Sequence, residues 1–306
     1  MSQETLKKQE WALDSYLIDD AYTDFFLSRQ AKLCSPGTLR FYQFTAGKFV
    51  EWLKSIGVNS PDEIASRHVR VYLAELDNRK LSDSYIHGHA RAIRTLLRFL
   101  HAEKYITNPI TFDMPNIAKK RLPVLSVDEL KQVLEACKTI RDKAVVLLLA
   151  DTGVRRLEAC TLNWGDIDIA SGLVRIYRGK GGKDRSVVIG VTTRRVLLAY
   201  RRTVKHDGND PLLQTIRHTR LTPMGLRSVL QRISKRTQIH FTPHALRRTF
   251  ATLSLRAGMN LLELQALLGH SSLDMTKRYV DMLEDDLLAA HREHGPIDRF
   301  ISKKHK

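Results

Sequence analysis

"FTPHALRRTFATLSLRAGMNLLELQALLGHSSLDMTKRYV", residues 241–280, strings two His, a pair of adjacent Arg and a late Tyr along a mostly helical stretch. Thr242 is a helix cap and Pro243 the first helical residue, so His244 falls in the first turn. Arg247 and Arg248 follow three and four residues on, and both project near the face that carries His244. Spacing does not choose between them. A helix start bearing His and Arg is a place for an anion. His270 follows Gly269, which suits a helix end and turn, and Tyr279 belongs to the next helical segment. Each feature alone also fits something ordinary: a surface helix, a cap or core histidine, a packing tyrosine.

Two outlying pieces sharpen the reading. "DTGVRRLEACTL" (151–162) offers Arg155 just past a Gly break, with Glu158 three residues on to orient it. "YRGKGGKDR" (177–185) puts Lys180 at the tip of a Gly-rich turn. Phosphoryl transfer calls for such a set. Charge spread over non-bridging oxygens is met by preorganised cations, and planar Arg fits two of those oxygens at once. A leaving alkoxide needs a proton, which a flexible Lys can deliver. A Tyr hydroxyl needs a base or a strongly positive pocket before it attacks at neutral pH.

The bulk of the chain agrees. Its 306 residues, 43% hydrophobic, can bury two cores. No apolar run reaches membrane-spanning length, and "MSQETLKKQEWALDSYLIDD" lacks the layout of a secretory leader. Cys34, Cys137 and Cys160 are odd in number and unpaired in spacing, so a reduced, cytoplasmic protein is expected. The net charge is +17, and it is lopsided. Residues 1–117 hold 15 Lys and Arg against 14 Asp and Glu, leaving 35 against 19 for residues 118–306. A polyanion explains that excess, although charge alone also describes an inert basic surface.

The first third reads as a four-helix domain, residues 1–108, beginning with a helix over 11–30. Ser35, Pro36 and Gly57 bracket a helix whose stripe is Leu39, Tyr42, Phe49 and Leu53. Ser60, Pro61 and Glu63 form a capping box expected to open the next helix. "SDSYIHGHARAIRTLLRFLHAEKYI" buries Ile86, Ala90, Ile93, Leu97 and Leu100 and carries Arg91, Arg94 and Arg98 as a basic ridge. That ridge suits a solvated face as well as a phosphate backbone. The "HGH" at His87–His89 has no partner at metal-ligand spacing. Residues 109–123 read as a Pro-containing linker whose Lys119, Lys120 and Arg121 would suit phosphates. Residues 124–306 form the second domain: a capping box at Ser126 and Glu129, a buried helix broken near Thr152-Gly153, a hairpin over 172–190, then helices started at Thr222-Pro223 and Thr242-Pro243. The fold class is thus mainly α with a small β hairpin.

Taken in order, "TGVRRLE", "GKGGKDR", "HALRRTFAT", "LGHSSLDMTKRY" and the tail "AAHREHGPIDRF" resemble the tyrosine recombinases of the phage-integrase family, most of all the compact Xer-type members. The family pattern is Arg, Lys, His-x-x-Arg, His, then Tyr nine residues later, and every place is filled. The resemblance implies that Arg155 and Arg247 clamp the phosphate, with Glu158 in support. It makes Lys180 the general acid, His244 the base and a phosphate contact, His270 a phosphate contact and Tyr279 the nucleophile. Lys183 and Arg248 become DNA contacts.

It further implies a two-domain, C-shaped clamp on duplex DNA with inverted-repeat half-sites. Four protomers, or a pair with a second recombinase, would act through a 3′-phosphotyrosine intermediate and a four-way Holliday junction, with no metal and no cofactor. Leu283, Leu287 and Leu288 would form a tail helix that docks on a neighbour or packs in cis. The absence of an arm-binding module and the extended tail "IDRFISKKHK" point towards a transposon or plasmid recombinase. Two rivals share the features: a type IB topoisomerase, which relaxes one duplex, and a non-catalytic DNA-binding regulator.

Overall fold

Capping residues place most of the helices. The computed structural model describes residues 17–116, 122–177, 184–270, 272–273 and 275–276, and within it the chain forms two compact units, residues 1–119 and 120–306.

Among the described residues, four α-helices build the first unit: α1 (Ile18–Ala31), α2 (Pro36–Ser55), α3 (Ser66–Asn78) and α4 (Asp83–Ala102). Ser35 accepts a hydrogen bond from the Thr38 amide at 3.2 Å and Pro36 starts α2. Ser82 likewise accepts from the Tyr85 amide at the head of α4. Phe25, Phe49, Leu53, Ile93, Leu97 and Leu100 fill the core. Burial of each such side chain contributes roughly 1.5–3 kcal/mol. Phe25 meets Tyr42 and Phe99 edge-on, with ring centroids 5.3 and 5.5 Å apart.

The Ser60 box does not open α3. Glu63 accepts from the Asn59 and Ser60 amides and closes only a single 3-10 turn, Pro61–Glu63. Ile64 then turns extended and buries its side chain, so the helix starts afresh at Ser66. Arg91 and Arg98 are exposed, but Arg94 is half-buried. It donates to the Phe112 carbonyl at 3.2 Å and lies over the Phe112 ring. Ile110 and Phe112 pack on the helical core, so the first residues after α4 are held to it.

His89 on α4 is fully buried, with Nδ1 hydrogen-bonded to the Tyr72 hydroxyl at 3.0 Å and Nε2 without a partner among the described residues. Burial, with a smaller push from Lys48, lowers its pKa to about 4. The unfolded chain therefore takes up a proton near its ordinary value of 6.5 that the folded chain refuses until about 4. The stability this group contributes is full above pH 6.5 and is lost as pH falls through that window, by up to about 3 kcal/mol. Urea unfolding of the full chain should show that acid-side decline. The double variant Tyr72→Phe, His89→Phe, which leaves no stranded hydroxyl, should make it shallower, the part due to His244 and His270, whose pKa values are also lowered, remaining. An unchanged slope would contradict this account.

The second unit comprises α5 (Val127–Glu135), α6 (Ile140–Thr152), α7 (Arg156–Thr161), β1 (Ile167–Asp168), β2 (Leu173–Ile176), β3 (Arg185–Val188), α8 (Val191–Arg201), α9 (Pro223–Thr237), α10 (Pro243–Arg256) and α11 (Leu261–Leu268). Helix α6, apolar all round from Ala144 to Leu149, runs through the core and packs against α8, α9 and α10. The sheet is antiparallel in the order β1-β2-β3, with Val174 opposite Val187 and Ile176 opposite Arg185. The hairpin expected from sequence is β2–β3; the two-residue β1 adds a third strand to it. Thr242 caps α10 by accepting from the Ala245 amide at 3.2 Å. Thr249 of α10 takes the Leu125 amide at 2.9 Å, so the chain entering α5 is tied to this helix.

Candidate active site

Two helix ends and a helix start create the site. Helix α6 stops at Gly153, whose φ of +59° suits glycine, and a Cβ there would lie 2.5 Å from a Phe250 ring atom. Helix α11 stops at Gly269, with φ +62°. The carbonyls left over at these two ends, together with the first turn of α7, gather the basic side chains.

Arg247 is 5% exposed and donates to the Gly153 carbonyl, to the Leu268 carbonyl at 2.7 Å and to His270 Nε2 at 3.0 Å. Its neighbour Arg248 instead donates to the Pro123 carbonyl at 3.1 Å. Of the two adjacent Arg, it is Arg247 that joins the cluster.

Arg155 stands just before α7. Its amide donates to Glu158 Oε2 at 2.7 Å, its Nη1 to Glu158 Oε1 at 2.8 Å and its Nη2 to the Gly269 carbonyl at 3.0 Å. Glu158 is buried, which by itself would raise its pKa. The hydrogen bonds from Arg185 and Arg155 outweigh that cost and hold the carboxyl at about 2. The sequence assigns Arg185 no role. Its signal was parity: with Val187 and Ile189 buried, residue 185 shares the inward face of its strand, where a guanidinium needs a carboxylate.

His270 accepts from Arg247 at Nε2, since a guanidinium can only donate. That leaves Nδ1–H to donate to Thr276 Oγ1 at 2.9 Å. Burial first, then Arg247, Arg155 and Arg185, lowers its pKa to about 4, so the ring is neutral at physiological pH. His244 lies exposed in the first turn of α10. Partial desolvation and the guanidinium groups of Arg247, Arg248, Arg156 and Arg155 push its pKa down. Beside it, Arg156, Arg227, Lys235 and His240 line a groove of about 540 Å³. Sequence reasoning gave Arg156 no role, because it chose one member of an Arg-Arg pair.

Arg155, Glu158, Arg247 and His270 thus converge from residues more than a hundred positions apart, with His244 under the field of the same cations. Arg155 and Arg185 share the Glu158 carboxylate and Arg247 adds a third guanidinium beside them, so the cluster keeps an excess of positive charge for an anion. Lys180 and Lys183, Lys119, Lys120 and Arg121, Tyr279 and the tail leucines Leu283, Leu287 and Leu288 lie outside the described residues. Cys34, Cys137 and Cys160 are free thiols, and among the described residues no helix is long and apolar enough to cross a membrane.

Residues 123–285 match the phage integrase family, and residues 22–104 match the phage integrase N-terminal SAM-like domain. The chain belongs to the phage integrase family. Such tyrosine recombinases catalyse DNA cleavage and rejoining, which sets aside the regulator reading of the same basic charge. Tyrosine recombinase XerC of Oceanobacillus iheyensis is 31% identical over 299 residues, covering 90% of this chain and 96% of that one. Tyrosine recombinase XerA of Saccharolobus solfataricus is 29% identical and covers 88% and 90%. Among solved structures, a XerA recombinase aligns with a TM-score of 0.53 at 26% identity over 91% of this chain and 99% of that chain. A lambda integrase fragment (75–356), a dimer bound to a core site, shares the fold with a TM-score of 0.73 at 18% identity, over 86% and 95%. This tyrosine recombinase is therefore Xer-type, and DNA recombination is its activity.

Proposed function

We propose that this chain is a site-specific recombinase in which Tyr279 attacks a DNA phosphate held by Arg155, Arg247 and His270. The convergence of those three side chains around the carbonyls of Gly153, Leu268 and Gly269 carries the reading. An incoming phosphate competes for donors that the two arginines now spend on neutral carbonyls and an imidazole. A charged acceptor makes the stronger hydrogen bonds.

The Tyr279 oxygen forms a bond to phosphorus as the bond from phosphorus to the 5′ oxygen breaks. His244 takes the phenolic proton, and Lys180 gives one to the departing 5′ oxygen. Desolvation and the neighbouring guanidinium groups push the His244 pKa below its ordinary value, which favours the form that can accept. The product is a 3′-phosphotyrosyl ester and a free 5′ hydroxyl. One phosphodiester replaces another, so the energy for rejoining is retained and no nucleotide is consumed. The clustered guanidinium charges supply the transition-state electrostatics.

On this reading both units bind a duplex with inverted-repeat half-sites. Four protomers, all of this chain or shared with a second recombinase, exchange strands in pairs through a Holliday junction. The lambda integrase tetramer solved on such a junction shares the fold and supports that arrangement. Exposed Arg91 and Arg98 serve as phosphate contacts, as do Lys119, Lys120, Arg121 and Lys183. Arg94 and Arg248 are further DNA contacts on this reading.

The test is covalent trapping. A duplex enriched by this protein from a random-sequence pool, nicked just 3′ of the cleavage point so that the short fragment bearing the freed 5′ hydroxyl escapes, should accumulate a protein–DNA adduct that survives denaturation. Relaxation of supercoiled plasmid at sites unrelated to the enriched sequence, without strand exchange, would favour the topoisomerase alternative.

A further inference from the structure

We propose that Arg185 is a positioning residue for Arg155, holding it through Glu158 and through the turn at Gly269; the inference rests on the role of Arg155 given above. Arg185 begins β3 opposite the buried Ile176, and its side chain is only 10% exposed. It is therefore badly placed to reach a DNA backbone itself. Its donors turn inward instead. Nη1 and Nη2 reach Glu158 Oε1 and Oε2 at 2.9 and 2.7 Å, and Nε reaches the Leu267 carbonyl at 2.8 Å.

The two-point bond fixes the plane of the Glu158 carboxylate. Each Glu158 oxygen then serves two masters: Oε1 takes Arg185 Nη1 and Arg155 Nη1, and Oε2 takes Arg185 Nη2 and the Arg155 amide. The other anchor of Arg155 is the Gly269 carbonyl. That residue lies two positions beyond Leu267, whose carbonyl Arg185 holds. The Arg185 stem also fills the space in front of Gly269, where a Cβ would stand 2.9 Å from Arg185 Cδ. Both anchors of Arg155 thus depend on one guanidinium. Remove it, and Glu158 loses two of its four bonds while the turn that precedes His270 loses its brace. A lysine would restore the charge but not the fork, so it cannot set the carboxylate plane.

A plain structural ion pair would affect stability and nothing else, which sets the experiment. The full chain is assayed in single turnover on the nicked, pool-enriched duplex, with affinity measured on the intact duplex. Five forms are compared: wild type, Arg185→Gln, Arg155→Lys, the double variant of these two, and Arg185→Lys as the conservative control. Arg185→Gln should cut the saturating cleavage rate about 100-fold, the cost of a reacting group displaced by about an ångström, and leave affinity unchanged. Arg185→Lys should recover folding but only part of the rate. Because Arg185 acts through Arg155, the double variant should be no slower than Arg155→Lys alone.

Normal cleavage by Arg185→Gln with a lowered melting temperature would overturn the inference, and so would losses that multiply in the double variant. If Arg155→Lys itself cleaves at the wild-type rate, the reading of the site has failed. If Arg155→Lys is crippled and Arg185→Gln is not, the inference about Arg185 alone has failed.

Discussion

Replacing Tyr279 by Phe is expected to abolish covalent complex formation and strand joining while DNA binding and its salt dependence stay as in the wild type. The substitution deletes one oxygen, which is the only atom of that side chain able to bond to phosphorus. No partial activity is expected, because the step loses its nucleophile and the remaining groups have nothing to activate. Affinity comes from elsewhere. The second unit carries most of the excess Lys and Arg, and neutralising phosphates with them releases counterions whatever residue 279 is. Electrophoretic binding at low and moderate salt, run beside the trapping assay, checks both halves. Joining by Tyr279→Phe at any appreciable rate would exclude the phosphotyrosyl route.

Arg247→Lys is expected to slow cleavage by about 100- to 1000-fold, the effect of removing one donor aimed at developing charge. Arg247 donates to Gly153, Leu268 and His270 from a nearly buried position, and an ammonium can replace neither the planar spread nor the two-point grip. Arg247→Ala should be worse in a second way. It strands the carbonyls at the ends of α6 and α11, so the melting temperature falls along with the rate. Single-turnover cleavage beside a thermal scan separates the two effects. By contrast Arg248→Lys, one residue on, should cleave nearly normally, since Arg248 points to the Pro123 carbonyl.

The contrast between these neighbours shows what the sequence could carry. His244, Arg247 and Arg248 are legible as one end of a helix, because Thr242 and Pro243 announce it and spacing does the rest. Which Arg turns inward is decided by carbonyls from Gly153 and Leu268, far along the chain, and local periodicity holds no trace of them. The apolar stripe of α4 could be read in advance, yet Arg94 could not be told from Arg91 and Arg98. Phe112, which comes after the helix, is what captures it. Ser60 and Glu63 looked like a helix start, and the same residues closed a 3-10 turn because Ile64 went to the core as extended chain. β1 has two residues, too few for any alternation to register. Arg185 was hidden among basic neighbours at a Gly-rich turn, and only its parity with Val187 and Ile189 gave it away.

The most direct test is to digest the trapped adduct with protease and nuclease and locate the residual nucleotide by tandem mass spectrometry. The account predicts a 3′-linked nucleotide on the phenolic oxygen of Tyr279 and on no other residue. A nucleotide on another side chain, or a 5′ linkage, would contradict it.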